Sequence, residues 1–239
     1  MPVLIEEIMR PAEQGMSRPY LCRGVDGNLY FVKGLNTTRE SQVHEWVCGH
    51  LGKAFGLPIP DFELVEIDKM LLREVQPEWQ EIGSGLAFGS REVRGGAWFE
   101  LANIPSVPLE LRQDVLVFDY WIQNLDRTDF NTNLLWKEMG HELAVIDHNL
   151  AFDREFSPEE FLSGHLFRDH WTEITGDLFI RSIYDQRLAQ ALVIFQDVLA
   201  SVPQEWYWHD EQQTVEANFD IEQIEVALTR CNNSEFWSI

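Results

Sequence analysis

Apolar and polar residues follow an alternating pattern in the first part of the chain, which predicts strands and turns. Residues 62–67 alternate apolar and acidic side chains, as expected of a strand with one exposed face. Residues 19–33 hold two short apolar runs around the turn Gly24-Val25-Asp26-Gly27-Asn28, whose Asp-Gly and Gly-Asn pairs accept the positive φ of a hairpin. Residues 87–93 are also predicted to be extended. We therefore expect a small antiparallel sheet here.

Helical spacing occurs once among these strands and dominates after Pro108. Residues 40–55 predict a helix that Asn36 or Thr37 can cap, with one apolar stripe. The stripe consists of Val43, Trp46, Val47, Leu51 and Ala54. Residues 69–82 are predicted to be helical as well. Later helices are expected at residues 109–124, 158–162, 175–183, 186–201 and 221–231.

A sheet-rich first part and a helix-rich second part predict an α+β fold with the two-lobed layout of protein-kinase-like structures. The first lobe would be the small antiparallel sheet with its helices, and the second would be mainly helical. No fixed-period repeat or low-complexity tract interrupts the 239 residues. We therefore expect a single domain, with an N-lobe at residues 1–104 and a C-lobe at residues 105–239.

The net charge of -22, from 18 basic and 40 acidic residues, limits the partners of the chain. Nucleic acid and anionic membranes would be repelled, so neither is expected, whereas a protein partner would need a basic surface. A solvated surface that keeps the protein soluble explains the same acids. The sequence shows no run of 18 apolar residues and no signal peptide, and its three cysteines lack CxxC spacing. These features predict a cytoplasmic protein with reduced thiols.

Three polar residues in the middle of the chain have the spacing of a phosphoryl-transfer site. Asp126 and Asn131 lie five positions apart after an amphipathic helix, and Asp147 follows the apolar stretch 143–146. In kinase-like loops a carboxylate orients the attacking hydroxyl, while an asparagine and a second aspartate offer oxygen atoms to Mg2+. We therefore interpret Asp126 as catalytic, and Asn131 and Asp147 as metal ligands.

A second group of candidate residues lies in the first part of the chain. Lys33 ends a strand after the glycine turn, and Glu45 lies in the next helix; a lysine–glutamate pair of this kind recurs in kinases. Gly24 and Gly27 bracket a turn whose backbone N–H groups could lie over phosphate oxygens. A solvated lysine, an exposed glutamate and an ordinary hairpin would explain the same features separately.

The catalytic-loop candidate also has a structural interpretation. Asx turns in a polar loop would use the side chains of Asn124, Asp126, Asn131 and Asn133. That interpretation leaves Asp147, after an apolar strand, without an explanation. We interpret His148 as a packed histidine, because neighbours on an extended strand point to opposite faces. His165 and His170 lack i, i+4 metal spacing and receive no role.

Several runs of residues, in this order, resemble the HipA-like kinase family, which is related to the HipA toxin kinases and, distantly, to the phosphatidylinositol 3/4-kinases. The runs are FVKG at 31–34, HEW at 44–46, GLPIP at 56–60, GLAFGSR at 85–91, NLDRT at 124–128, NTNLLW at 131–136 and IDH at 146–148. They span most of the chain, and the resemblance therefore concerns the whole domain.

The resemblance implies a specific set of ligands and contacts. ATP and Mg2+ are the implied ligands, with Lys33 and Glu45 serving the α and β phosphates. The catalytic and metal-binding roles of Asp126, Asn131 and Asp147 are implied as well. A connector is implied whose backbone contacts adenine; it consists of Arg91, Glu92 and Val93. The implied acceptor is a hydroxyl group, with protein Ser or Thr as the leading class.

The chain departs from the family pattern at Thr128, where HipA toxins have histidine and protein kinases usually have lysine. Transition-state charge is then left to Mg2+, Lys33 and, as a further candidate, Arg127. Three functions stay open: an ATP- and Mg2+-dependent kinase, a nucleotide-binding pseudokinase or adaptor, and a kinase for a small molecule or lipid head group. The net charge argues against the membrane version of the third.

Overall fold

The computed structural model of the chain describes residues 1–13, 18–210 and 212–238, and its contacts divide it into two compact units. Unit 1 consists of Met1–Trp46, Pro60–Arg94 and Ser201–Phe219. Unit 2 consists of Val47–Ile59, Gly95–Ala200 and the described residues from Asp220 onward. A late segment of sequence therefore belongs to the first unit, and the units are not consecutive halves of the chain.

Unit 1 is built on a closed barrel of five strands in the order β1-β2-β3-β5-β4. The strands are β1 (Val3–Pro11), β2 (Tyr20–Gly24), β3 (Leu29–Lys33), β4 (Phe62–Ile67) and β5 (Gly85–Arg91). β1 pairs with β4 in parallel, while the other neighbours are antiparallel. The antiparallel sheet expected from the sequence is corrected to a closed barrel with one parallel pair, because β1 joins β2 to β4.

Side chains from all five strands fill the barrel. Its buried cluster comprises Ile5, Ile8, Tyr20, Cys22, Tyr30, Val32, Val65, Ile67, Ile82 and Ala87. Burial raises the pKa of the Cys22 thiol to about 12, so this cysteine stays a neutral thiol. Cys22, Cys48 and Cys231 form no disulfide, as expected from their spacing.

Helix α1 (Arg39–Phe55) follows the barrel strand β3. Thr38, rather than Asn36 or Thr37, caps it, because the Thr38 hydroxyl accepts the Ser41 N–H at 3.0 Å. The predicted apolar stripe is buried except at its last member, where Ala54 is exposed and Phe55 is buried in its place.

The predicted helix at residues 69–82 is two elements. Helix α2 (Lys69–Glu74) is capped by Asp68, and a 3₁₀ helix follows at Pro77–Ile82. Pro77 disfavours helical φ/ψ for Gln76, which has ψ 143°, so the two elements cannot merge. A further 3₁₀ helix at Gln204–Tyr207 completes unit 1 together with its irregular neighbours.

Unit 2 combines helices with a three-stranded sheet, ordered β6-β7-β8. The strands are β6 (Ala97–Trp98), β7 (Leu134–Lys137) and β8 (Glu142–Val145). The helices are α3 (Leu109–Trp121), α4 (Pro158–Gly164), α5 (Trp171–Gly176), α6 (Leu178–Leu192), α7 (Phe195–Ala200) and α8 (Ile221–Thr229). α3 lies in the core of the unit: eight of its residues are buried, and the Trp121 indole donates to the Leu228 carbonyl at 2.8 Å.

The predicted helix at residues 175–183 is interrupted. α5 ends at Gly176, and Asp177 caps α6 by accepting the N–H groups of Phe179 and Ile180 at 2.7 and 3.2 Å. Among the described residues, none of the helices is long and apolar enough to cross a membrane.

Candidate active site

Lys33 and Glu45 form a direct ion pair within unit 1. The Lys33 Nζ donates to the Glu45 Oε1, and the two residues are 6% and 4% exposed. Lys33 ends β3, and Glu45 is the seventh residue of α1. Because a buried ion pair needs good geometry to offset the lost hydration, this contact fixes the position of the lysine against the helix. The two residues that sequence spacing singled out are therefore brought together.

The loop after α3 places two amide groups on one carboxylate oxygen of Asp126. The Nδ2 atoms of Asn131 and Asn133 each donate to Asp126 Oδ2 at 2.9 Å. Asp126 is half-buried, and within the described residues its Oδ1 atom accepts no hydrogen bond. The loop thus fixes one oxygen of the carboxylate and leaves the other accessible to a hydroxyl proton.

The Asx-turn interpretation holds for Asn124, and it coexists with the chemical one. The Asn124 side chain accepts the Asp126 N–H at 3.2 Å and donates to Asp119 Oδ1 at 2.9 Å. Asn124 therefore shapes the loop, whereas Asn131 and Asn133 contact the carboxylate of Asp126 itself.

A buried ion pair anchors this loop to α3. Arg127 and Asp119 are both 0% exposed, and the Arg127 Nε donates to Asp119 Oδ2 at 2.5 Å. The Arg127 Nη1 donates to the carbonyl oxygens of Thr132, Asn133 and Ile146. One guanidinium therefore ties the helix, the loop and the end of the β7–β8 hairpin together, with the multiple donors that make arginine suited to such positions.

His165 completes the buried network. Its Nδ1 accepts the Phe167 N–H at 3.1 Å, which assigns the proton to Nε2, and Nε2 lies 3.1 Å from Asp119 Oδ2. Burial lowers the pKa of His165, since Asp119 only partly offsets the lost hydration. Burial would raise the pKa of Asp119, but Arg127 and His165 hold it well below its usual range. The network is thus a carboxylate, a guanidinium and a neutral imidazole.

Asp147 lies two residues beyond β8, in a left-handed conformation. Its φ is 59°, and the Ile146 N–H just before it donates to the Asn133 carbonyl at 3.1 Å. Left-handed non-glycine residues are uncommon and tend to occur at functional sites. Residues 146–148 are therefore not extended, contrary to what the interpretation of His148 assumed. His148 is nevertheless buried, with its ring edge-on to Phe118 at 5.9 Å.

The predicted metal ligands are an amide and a carboxylate, the oxygen donors that Mg2+ prefers. Because Asn131 turns its Nδ2 toward Asp126, its Oδ1 faces away, and that oxygen accepts no hydrogen bond within the described residues. No cluster of three or more His, Cys, Asp or Glu side chains suited to a metal occurs in the described part of the chain. The residues fit an ion that takes most of its ligands from phosphates and water.

Comparison with known proteins assigns the chain to a family. The sequence model of the HipA-like kinases matches residues 5–239. The chain belongs to the HipA-like kinase family. This confirms the resemblance found in the sequence and makes the protein a phosphotransferase by family.

Solved structures support the fold of this HipA-like kinase. The crystal structure of a Helicobacter pylori proinflammatory kinase, CtkA, is similar to it with a TM-score of 0.55 and 13% sequence identity. The similarity covers 95% of this chain and 92% of that chain. At such low identity the likeness concerns the fold alone, and it confirms the α+β, kinase-like class. No curated protein matches the chain.

In this HipA-like kinase, the side chains of Thr128 and Arg127 both make structural contacts within the loop. All the hydrogen bonds of Arg127 go to Asp119 and to backbone carbonyls, so its guanidinium is not directed at a ligand. The Thr128 hydroxyl accepts the N–H groups of Phe130 and Asn131 at 3.3 and 3.2 Å. The expectation for Arg127 is therefore corrected: both side chains hold the loop.

The glycine turn uses its own N–H groups. Gly24 and Gly27 donate to the carbonyls of Asn28 and Gly24 at 2.9 Å, and the Val25 N–H donates to Leu4. The Asp26 carboxylate also lies in this turn, where it accepts from Asn28 and Tyr30. Gly27 has φ 77°, which explains why glycine occupies it. The phosphate contact predicted for Gly24 and Gly27 stays a prediction, and it would require this turn to open.

The predicted adenine connector starts at the end of β5. The N–H groups of Arg91 and Glu92 donate to the carbonyls of Asp61 and Leu29 at 2.7 and 2.8 Å. The Arg91 guanidinium lies 3.7 Å from the Asp61 carboxylate. Backbone contacts with a nucleotide base would therefore fall to the carbonyl groups of this segment and to Val93.

Three residues of this site lacked a signal in the sequence. Asp119 lies on a helix where a polar residue is ordinary, and His165 is 46 residues away from it. Arg168 forms two hydrogen bonds with the Asp129 carboxylate at 3.3 and 3.2 Å, which fixes the tip of the candidate loop. The one available hint was the apolar setting of Asp119, which is flanked by Phe118 and Tyr120.

Proposed function

We propose that this HipA-like kinase uses ATP with Mg2+ and transfers the γ-phosphate to a hydroxyl group of a protein Ser or Thr. The observation that carries the proposal is the carboxylate of Asp126, which Asn131 and Asn133 hold by one oxygen while the other accepts no hydrogen bond. Such a carboxylate can orient a hydroxyl and take its proton.

The other residues divide the remaining tasks. Lys33, held by Glu45, neutralises charge on the α and β phosphates, while the oxygens of Asn131 and Asp147 hold the metal. Mg2+, when bound, offsets the negative charge of the phosphates. Arg91, Glu92 and Val93 contact adenine through their backbone. The acceptor is proposed to carry a basic surface, because the chain has a net charge of -22.

The test is transfer of labelled γ-phosphate from ATP to proteins of a cell lysate. Asp126→Ala and Asp147→Ala should each lower the rate at least about 100-fold, the effect expected when an acid–base group or a metal ligand is lost. Asp197→Ala, at an exposed position of α7, is the matched control and should behave like the original protein. Activity that survives both active-site changes would rule out the assignment.

One observation favours a second candidate, a nucleotide-binding pseudokinase or adaptor. The loop offers no cation to the transition state, since Thr128 replaces the family's histidine and the Arg127 guanidinium is buried against Asp119. The two functions differ in one measurement. Thermal stabilisation by ATP with Mg2+, without transfer to any protein of the lysate, would favour the pseudokinase.

A further inference from the structure

A cavity opens in unit 1 beside the first turn of α1. Its volume of about 540 Å³ is typical of small-molecule sites. It is lined by the end of β4, the start of α2, the start of β5 and residues of the 205–213 stretch. In the β4–β5 register, Ile67 pairs with Gly85 at the cavity, whereas Phe62 pairs with Ser90 next to the predicted adenine connector. The cavity and the connector therefore lie at opposite ends of this strand pair.

The buried side of the cavity holds a cation without a carboxylate partner. Arg39 is 7% exposed; its Nε donates to the Trp208 carbonyl, and its Nη1 donates to Gln42 and Leu86. Among the described residues, no carboxylate oxygen lies within 4.0 Å of the guanidinium, and its Nη2 donates no hydrogen bond. Buried charges are normally paired, because leaving one alone is costly.

The charge of Glu205 acts on Arg39 from beyond ion-pair distance. The Oε1 atom of Glu205 accepts the Leu86 N–H at 2.5 Å. Arg39 therefore lines the cavity with one nitrogen, Nη2, that donates to none of the described residues, and no acid lies within ion-pair distance of it. A carboxylate of a ligand would supply both the acceptor and the missing countercharge.

The exposed side of the cavity has the opposite character. The lining contains four acids, which are Glu66, Asp68, Glu205 and Asp210, against the two bases Arg39 and Lys69. Glu66 and Asp68 are both exposed at the end of β4. A ligand that satisfies Arg39 and also matches this excess of acids must carry one carboxylate together with cationic groups.

We propose that this cavity binds a basic α-amino acid, with its carboxylate on Arg39 and its cationic side chain against Glu66 and Asp68. The site does not depend on the proposed function, because it uses none of the residues assigned to ATP, Mg2+ or the acceptor. Arg39 begins the helix that carries Glu45, so an occupied cavity should also raise the thermal unfolding midpoint.

The probes are L-arginine and L-lysine, titrated into the full chain by calorimetry without ATP. Agmatine and cadaverine are their matched controls, since they keep the cationic side chain and lack the carboxylate. At least one of the amino acids should bind with a Kd below about 1 mM, and at least about tenfold tighter than its control. No binding of either up to about 10 mM, or equal binding of the controls, would overturn the proposal.

Substitutions at the cavity test whether the amino acid binds there. Arg39→Gln should abolish the preference for the amino acid over its control. Because that change removes buried hydrogen bonds, a surface pair provides an independent test. Glu66→Lys should weaken binding at least about fivefold, whereas Glu63→Lys, at the other end of the same strand and also exposed, should leave it unchanged. Equal effects of the two changes would place the ligand elsewhere and refute the site.

Discussion

Thr128 occupies the position where HipA toxins have histidine, and its hydroxyl is a hydrogen-bond acceptor rather than a cation. It accepts the N–H groups of Phe130 and Asn131, and Asn131 in turn donates to Asp126. We expect Thr128→Val to lower kcat about fivefold, since a hydrogen bond of this kind is worth roughly 1 kcal/mol. Thr128→Ser keeps the acceptor and should retain most activity. Steady-state kinetics of the two variants checks this, and equal loss in both would contradict it.

The buried imidazole of His165 predicts a pH dependence of stability. Because its pKa is lowered in the folded state, the unfolded chain takes up a proton below about pH 6.5 while the folded chain does not. The contribution of His165 to the free energy of unfolding therefore falls as the pH is lowered, by up to about 1.4 kcal/mol per pH unit. Asp119, whose pKa is also lowered, keeps its contribution down to more acidic conditions.

Comparison with His165→Gln isolates that effect. Glutamine can donate to Asp119 but does not titrate, so the stability gap between the two proteins should narrow as the pH falls from about 7.5 to about 5.5. His50 and His170, whose pKa values are lowered as well, are common to both proteins and cancel. Urea unfolding at each pH measures the gap, and a constant or widening gap would refute the prediction.

At the scale of elements, the link from β3 to α1 depends on the absence of a side chain at Gly34. A Cβ there would lie 2.1 Å from the Ile82 carbonyl oxygen, which accepts the Leu35 N–H at 2.7 Å. Gly34→Ala should therefore destabilise the protein by about 2 to 3 kcal/mol. Gly176→Ala, where nothing lies within 4 Å, should be neutral or stabilising by up to about 1 kcal/mol. Denaturant unfolding separates the two outcomes.

Local pattern predicted α1 and the β2–β3 hairpin and missed β1. α1 follows from apolar spacing, and the β2–β3 hairpin follows from its turn residues. In β1 the two buried residues, Ile5 and Ile8, lie three positions apart and so do not alternate with exposed ones. Register shifts between Ile5 and Glu7 and between Ile8 and Arg10 break the period of two. Barrel closure through β1 could not be inferred, because it depends on pairing between distant strands.

The candidate site shows the same division. Asp126 and Asn131, which their close spacing in the sequence singled out, lie in hydrogen-bond contact, while their predicted roles stay predictions. Asp119 and His165 were not found, because their link is a contact across 46 positions that no local spacing describes. Arg127 was misjudged, since sequence alone does not tell whether an arginine beside a candidate catalytic aspartate faces a ligand or the core.

At the scale of the whole molecule, unit 1 depends on a segment that follows most of unit 2 in the sequence. Within that segment Trp206 is 0% exposed, its indole donates to the Leu86 carbonyl at 2.9 Å, and its ring packs edge-on against Trp46. The neighbouring Glu205 accepts the Leu86 N–H. Both backbone groups of Leu86 in the barrel strand β5, its N–H and its carbonyl, are therefore bound by a segment that is distant in the sequence.

This arrangement makes Trp206 a test of how unit 1 is completed. Trp206→Ala should cost about 3 to 5 kcal/mol, the usual range for emptying a buried aromatic site, and Trp206→Phe should cost less because it mainly loses the hydrogen bond. Phe130→Ala is the control, since Phe130 is fully exposed and should change stability by less than about 0.5 kcal/mol. Urea unfolding of the full chain gives all three values. If Trp206→Ala proved as mild as the control, residues 201–219 would not be part of the folding unit that contains the barrel.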